Sequence, residues 1–139
     1  MNQAVKTLRA VQWSLLGSIV VYVALGVVVR SAMRGIDPTL SYLFTTLAVA
    51  DIGVIFVVRR TLVFRAEATL ATQPDDALSL NQWRTGHIVT YALCEALALF
   101  GLAQRFLGSS VQQEVPYFIG GFVLLLFFRP QPPRTVLST

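Results

Sequence analysis

Charge is scarce in this sequence: Asp, Glu, Lys and Arg make up only 13% of its 139 residues, against ~25% in an ordinary soluble domain. A surface so poor in charge cannot keep a domain of this size in water. The 55% of hydrophobic residues gather in long blocks, so the chain reads as an integral membrane protein with no room for a second sizeable soluble domain. Cysteine and histidine are nearly absent too, with one of each. Cys94 has no intrachain partner and no metal-ligand spacing around it, and it reads as a small packing residue. A single histidine, no G-x-S-x-G turn and no glycine-rich phosphate loop argue against an enzyme and against a bound cofactor or metal. The net charge of +4 does not imply nucleic acid, because the basic residues lie at the ends of apolar blocks, without a patch interleaved with aromatics.

Four blocks read as membrane-crossing helices, over about residues 10–30, 38–59, 85–106 and 111–129. The first is uncharged from Ala10 to Val29, and ~20 residues at ~1.5 Å each match a hydrocarbon core of ~30 Å. It outlasts the apolar stretch of a signal peptide, and Arg30 stands where a small-residue cleavage site belongs, so a retained helix is expected. Asp37-Pro38 starts the second, with Asp as N-cap and Pro at the first helical position, and Arg59 and Arg60 close it. The fourth is strongly apolar only from Val115 to Phe128 and must recruit residues 111–114. Pro116 is expected to open its apolar part, and Gly120-Gly121 to admit a neighbouring helix closely.

Counting Lys and Arg orients the chain. With the N-terminus inside, Lys6, Arg9, Arg59, Arg60, Arg65, Arg84, Arg129 and Arg134 fall on one side and Arg30, Arg34 and Arg105 on the other. This positive-inside bias predicts an inner (plasma) membrane protein with both termini cytoplasmic and its helices paired as two antiparallel hairpins. The expected architecture is an all-α four-helix bundle in one membrane domain, with residues 60–84 as a cytosolic connector. The first half of that connector suits a continuation of the second helix or a stretch lying on the headgroups. Pro74-Asp75-Asp76 marks a turn and a new helix start. Trp13 and Trp83 are expected at the membrane interfaces.

Two carboxylates, Asp51 and Glu95, fall inside crossings. An ionised carboxylate at the bilayer centre costs ~2.5–3.5 kcal/mol on insertion scales, so such groups face the bundle interior, pair, or stay protonated. Counted from the inner ends of their helices, the two differ by three residues in depth, or ~4.5 Å. Adjacent helices would let them face each other and share a proton or hold a cation. Tyr91 lies four residues before Glu95 and His87 eight before it, which sketches a proton path from the inner surface; the alternative for His87 is a helix end at the headgroups. Gly86, Thr90, Cys94 and Ala98, each four apart, form a small-residue stripe for helix packing. Thr45, Thr46, Ala48, Ala50 and Gly53 are expected to make the surroundings of Asp51 tight.

The stretch ALCEALALFGL, residues 92–102, resembles the ion-binding helix of the proteolipid (c) subunits of rotary ATPases. That resemblance implies Glu95 as carrier of a proton or sodium ion. The glycine-rich partner helix of that family has no counterpart here, and the acid lies in the third crossing where a four-helix proteolipid has it in the fourth. Small multidrug exporters also pair four helices with a membrane glutamate, but in their first helix. The expectation is therefore a small non-enzymatic multi-pass membrane protein, a subunit or assembly component in contact with the bilayer, as a homo-oligomer or within a membrane complex. The competing expectation is a proton- or cation-translocating component using Glu95, with Asp51 assisting.

Overall fold

The helices begin where short polar side chains can hold their free amides. Asp37 accepts from the Thr39 N–H at 2.8 Å with Pro38 behind it, starting the second helix. Asp76 accepts from the Ser79 N–H at 3.1 Å, and Ser110 and Gln113 form a reciprocal capping box, each meeting donors that have no partner inside a helix. The computed structural model describes residues 2–29 and 35–131. They form α1 (Asn2–Val28), α2 (Pro38–Val58), a π-helical stretch (Arg59–Phe64), α3 (Arg65–Thr72), α4 (Ala77–Phe106) and α5 (Val111–Phe127). No strand occurs among the described residues.

The expected limits shift at several ends. The helix continues past Arg59 and Arg60, as expected for the first half of the connector, because charge alone breaks no backbone hydrogen bond. The rod runs unbroken to Thr72 and stops where Gln73, next to Pro74, leaves the helical region at φ -131° and ψ 78°. Of the expected connector, only residues 73–76 are non-helical. At the other end of α4, Gly108 takes φ +102°. The Ser109 N–H bonds back to the Gln104 carbonyl and the Gly108 N–H to that of Arg105, a Schellman ending that reverses the chain into α5. α5 takes in residues 111–114 and holds Pro116 inside it, since the Ser110 box begins the helix five residues earlier. The expected end of the first crossing at Arg30 lies outside the described residues, as do Arg34 and Arg134.

Three helical rods, α1, α2 through α3, and α4, are long and apolar enough to cross a membrane. At 17 residues, α5 is shorter, ~26 Å of helix. The rods gather about α4, which packs against every other helix. Of the two expected hairpins, α4–α5 is the most closely packed pair, whereas α1 and α2 pack on α4 and scarcely on each other.

Small residues explain why α4 is central. A Cβ at Gly121 would lie 2.7 Å from the Cys94 carbonyl oxygen and 3.3 Å from the Ala98 Cβ, and one at Gly86 would lie 2.7 Å from Val63 Cγ2. The stripe Gly86, Thr90, Cys94, Ala98 is buried along its length, meeting the π-helical stretch at one end and α5 at the other.

Candidate functional site

The polar groups of the interior lie around α4 in three places. The first joins α1 to α4: the Tyr22 hydroxyl donates to Glu95 Oε1 at 2.7 Å. This answers why an apolar run carries Glu95. Its side chain leaves the helix toward α1 and finds a phenol, a partner that lies 73 residues away in sequence.

The second lies between α4 and the rod of α2 and α3. Asp51, Ile55, Arg59 and Val63 follow at four-residue spacing, continued by Ala66 and Leu70; Ile55, Val63, Ala66 and Leu70 are buried, and Asp51 and Arg59 partly so. The wide turn at Arg59–Phe64 keeps this stripe aimed at α4. The Arg59 guanidinium stands 4.2 Å from the centre of the Phe128 ring and 5.7 Å from that of Phe64, where the faces of both rings attract a cation. Its Nη1, the Tyr91 hydroxyl and Asp51 Oδ2 are buried without a hydrogen-bond partner among the described residues. Deeper toward α3, the Trp83 Nε1–H donates to Glu67 Oε1 at 3.3 Å.

His87 is buried, with Nδ1 3.0 Å from the Trp83 carbonyl oxygen. A carbonyl can only accept, so Nδ1 carries a proton. The imidazole lies between Trp83, tilted at 53° with ring centres 4.6 Å apart, and Tyr91, edge-on at 6.0 Å.

The third place is the opposite end of the bundle. Arg105 donates through Nε to the Gly26 carbonyl at 2.8 Å and through Nη1 to that of Ser109 at 3.0 Å, and its Nε stands 3.9 Å from Glu114 Oε2. One side chain thereby gathers the ends of α1 and α4 and the start of α5.

These positions revise several expectations. Glu95 and Asp51 are not joined by a hydrogen bond among the described residues: Glu95 accepts from Tyr22 on α1, and Asp51 Oδ2 has no partner. Among the described residues no hydrogen-bonded chain links His87, Tyr91 and Glu95, since the histidine bonds its own helix and the Tyr91 hydroxyl has no partner there. His87 and Trp83 are both buried within the protein, where the first turns of α4 pack against α3 and the π-helical stretch. Around Asp51, Ala48 is buried as expected, but Thr45, Thr46 and Ala50 are exposed and Gly53 has open space beside it.

Tyr22, Arg59, Arg105 and Glu114 were not anticipated as interior polar groups. Arg59 had a signal in the sequence, four residues beyond Ile55 and eight beyond Asp51. Tyr22 had none, because nothing in its own helix marks a partner on α4. Among the described residues no three His, Cys, Asp or Glu side chains converge as metal ligands. No protein-family model, curated protein or solved structure matches the chain.

Proposed function

We propose that the chain is a small integral membrane protein without catalytic activity, a membrane subunit or assembly component whose interior polar groups hold its helices together. The observation that carries this reading is the contrast between its two surfaces. Large apolar side chains stand outward along every rod, with Val27 66% exposed, Val49 65%, Phe56 60% and Phe127 78%. An apolar girdle of that extent has no place on a soluble monomer, whereas lipid tails cover it without cost. Glu95, Arg105, Glu114 and His87 turn inward to protein partners, as groups excluded from hydrocarbon must.

The orientation follows the arginines. Helices that alternate in direction across a bilayer carry Lys6, Arg9, Arg59, Arg60, Arg65, Arg84 and Arg129 to one side, which is the cytoplasmic side on the positive-inside rule. Both termini are then cytoplasmic, and the protein resides in an inner (plasma) membrane.

Extraction and labelling test the reading. The protein should resist alkaline carbonate and require detergent. Cysteines placed by Arg60→Cys and Arg84→Cys should react with an impermeant maleimide from the same face of sealed vesicles. Solubility in plain buffer, or reaction from opposite faces, would end the proposal.

A second reading, ion translocation, draws on Asp51 Oδ2 and the Tyr91 hydroxyl, each buried without a hydrogen-bond partner among the described residues. In that reading Glu95→Gln or Asp51→Asn abolishes proton or sodium flux in proteoliposomes. In the assembly reading Glu95→Gln is tolerated, because the amide oxygen still accepts from Tyr22.

A further inference from the structure

The α1–α5 seam is shaped unlike the rest of the surface. On α1, positions 9, 12, 13, 16, 19, 20 and 23 recur at helical spacing and form one stripe. Toward the end that holds Arg9, this stripe and the end of α5 enclose a hollow of about 380 Å³. Its polar wall is Arg9, Arg129, Gln12 and Gln131, and its apolar floor is Leu16 and Leu126 beside Trp13. Neither arginine has a carboxylate within salt-bridge distance among the described residues; the one ion pair found there is Arg105 with Glu114. Gln12 is spent on structure, donating to the Leu125 carbonyl at 2.6 Å. It thereby fills one of the acceptors left open at a helix C-terminus.

Further along the same seam lies a second hollow of about 280 Å³, wholly apolar, between Ile19, Val20 and Val23 of α1 and Phe118, Ile119 and Phe122 of α5. Arg9 and Val23 are separated by 14 residues, so the two hollows together extend ~21 Å along the helix, from the bundle end to well inside the span. A cationic cup continued by an apolar trough on one helix face matches an amphiphile with an anionic head and a long hydrocarbon tail. Trp13, 68% exposed beside the cup, sits where an indole meets the headgroup layer.

We infer that the α1–α5 seam is a binding site for one anionic phospholipid, its phosphate between Arg9 and Arg129 and an acyl chain in the trough of Val20, Val23, Ile119 and Phe122. The inference rests on the membrane reading above. The ligand chemistry is a phosphate ester, and the trough selects a lipid over free phosphate. Because both arginines are exposed, the site can lose its charge without disturbing the packed core.

Native mass spectrometry of the detergent-purified protein tests this, with phosphatidylglycerol, phosphatidylcholine and inorganic phosphate added separately. The expected result is one phosphatidylglycerol retained per chain, with phosphatidylcholine held far more weakly and inorganic phosphate not held. At ~1 kcal/mol for each basic residue near an anionic surface, the double variant Arg9→Gln/Arg129→Gln should weaken phosphatidylglycerol retention about 30-fold. Val23→Trp should reduce it by filling the trough with the charges intact. Circular dichroism of both variants must match the parent, so that lost binding is not lost fold. Equal retention of both lipids, binding of inorganic phosphate at the same strength, or no effect of the double variant overturns the site while leaving the membrane reading standing. Release from membranes by carbonate alone would overturn the membrane reading itself.

Discussion

The Tyr22 phenol donates to Glu95 Oε1 at 2.7 Å, and this bond is the only side-chain hydrogen bond between α1 and α4 in the middle of their apolar spans among the described residues. It is directional: the phenol gives a proton and the carboxyl oxygen receives it. Any group with an acceptor oxygen at position 95 can take the same place.

Glu95→Gln should therefore cost little stability, Glu95→Ala more, and Tyr22→Phe about as much as Glu95→Ala. Cross-helix hydrogen bonds in membrane proteins contribute ~0.6 kcal/mol on average and up to ~1.7. A double-mutant cycle of Tyr22→Phe with Glu95→Ala, read from unfolding in mixed micelles, should give a coupling in that range. A coupling indistinguishable from zero would mean that the contact adds nothing.

The closeness of α4 and α5 makes a second expectation. Gly121→Ala must push its Cβ away from the Cys94 carbonyl, 2.7 Å distant, which is backbone and cannot turn aside. Overpacking of this kind costs ~1–3 kcal/mol. At Gly120 the nearest atom is Leu97 Cδ2 at 3.2 Å, the end of a side chain that can rotate. Alanine also gains up to ~1 kcal/mol over glycine within a helix. Gly120→Ala should thus be near neutral and Gly121→Ala clearly destabilising, compared by thermal loss of helicity in detergent.

Much of the architecture is legible in the residues, and the parts that are not share one cause. Asp37-Pro38, Pro74-Asp75-Asp76 and the small-residue stripe act locally, through caps, a fixed φ or missing side-chain volume, so the sequence alone reveals them. Which way Glu95 and Asp51 face is a rotation of α4 and α2 about their axes. A helix apolar all round carries no polar stripe from which to read that rotation. The two acids could be matched in depth by counting residues, yet Glu95 turned toward Tyr22 on α1, while Asp51 Oδ2 found no partner among the described residues. Arg59 was read as a charge at the edge of a crossing. The wide turn that begins with it, and the aromatic faces of Phe64 and Phe128, instead hold it partly buried against the bundle.

Acid should loosen the start of α4. Hydrogen bonds from Ser79, through its side chain and its backbone N–H, hold the Asp76 carboxyl below the usual carboxylate range. A folded-state value below the unfolded one, ~3.9, means that the cap is fully in force above about pH 4 and is lost as pH falls through the lower, folded value. Asp76→Asn should keep the cap and remove its acid sensitivity, since Asn caps as well as Asp. Asp76→Ala should fray residues 77–80 at every pH. Amide exchange of Ser79 between about pH 2 and 6 reads all three, after correction for the intrinsic exchange rate. Identical acid profiles for the parent and Asp76→Asn would remove Asp76 as the cause.

At the opposite end, Arg105 and Glu114 are both buried, and their separation of 3.9 Å is an ion pair with no hydrogen bond to Glu114 Oε2. The arginine has two carbonyl acceptors besides, those of Gly26 and Ser109. The two residues should therefore differ in what their loss does. Arg105→Met strips the carboxylate of its counter-charge and orphans both carbonyls, and should cost ~3–5 kcal/mol, the usual penalty for breaking a buried pair. Glu114→Gln leaves the guanidinium on its carbonyls and should cost less. The double variant Arg105→Met/Glu114→Leu should recover part of the loss, because no charge then remains buried, though the carbonyls stay unfilled. Little of this should respond to salt, since ions screen buried pairs weakly. Denaturation of the variants in detergent at low and high ionic strength measures these differences. A strong salt dependence, or equal costs for the single variants, would show that the pair is open to water and that the Gly26 and Ser109 carbonyls do not hold the guanidinium in place.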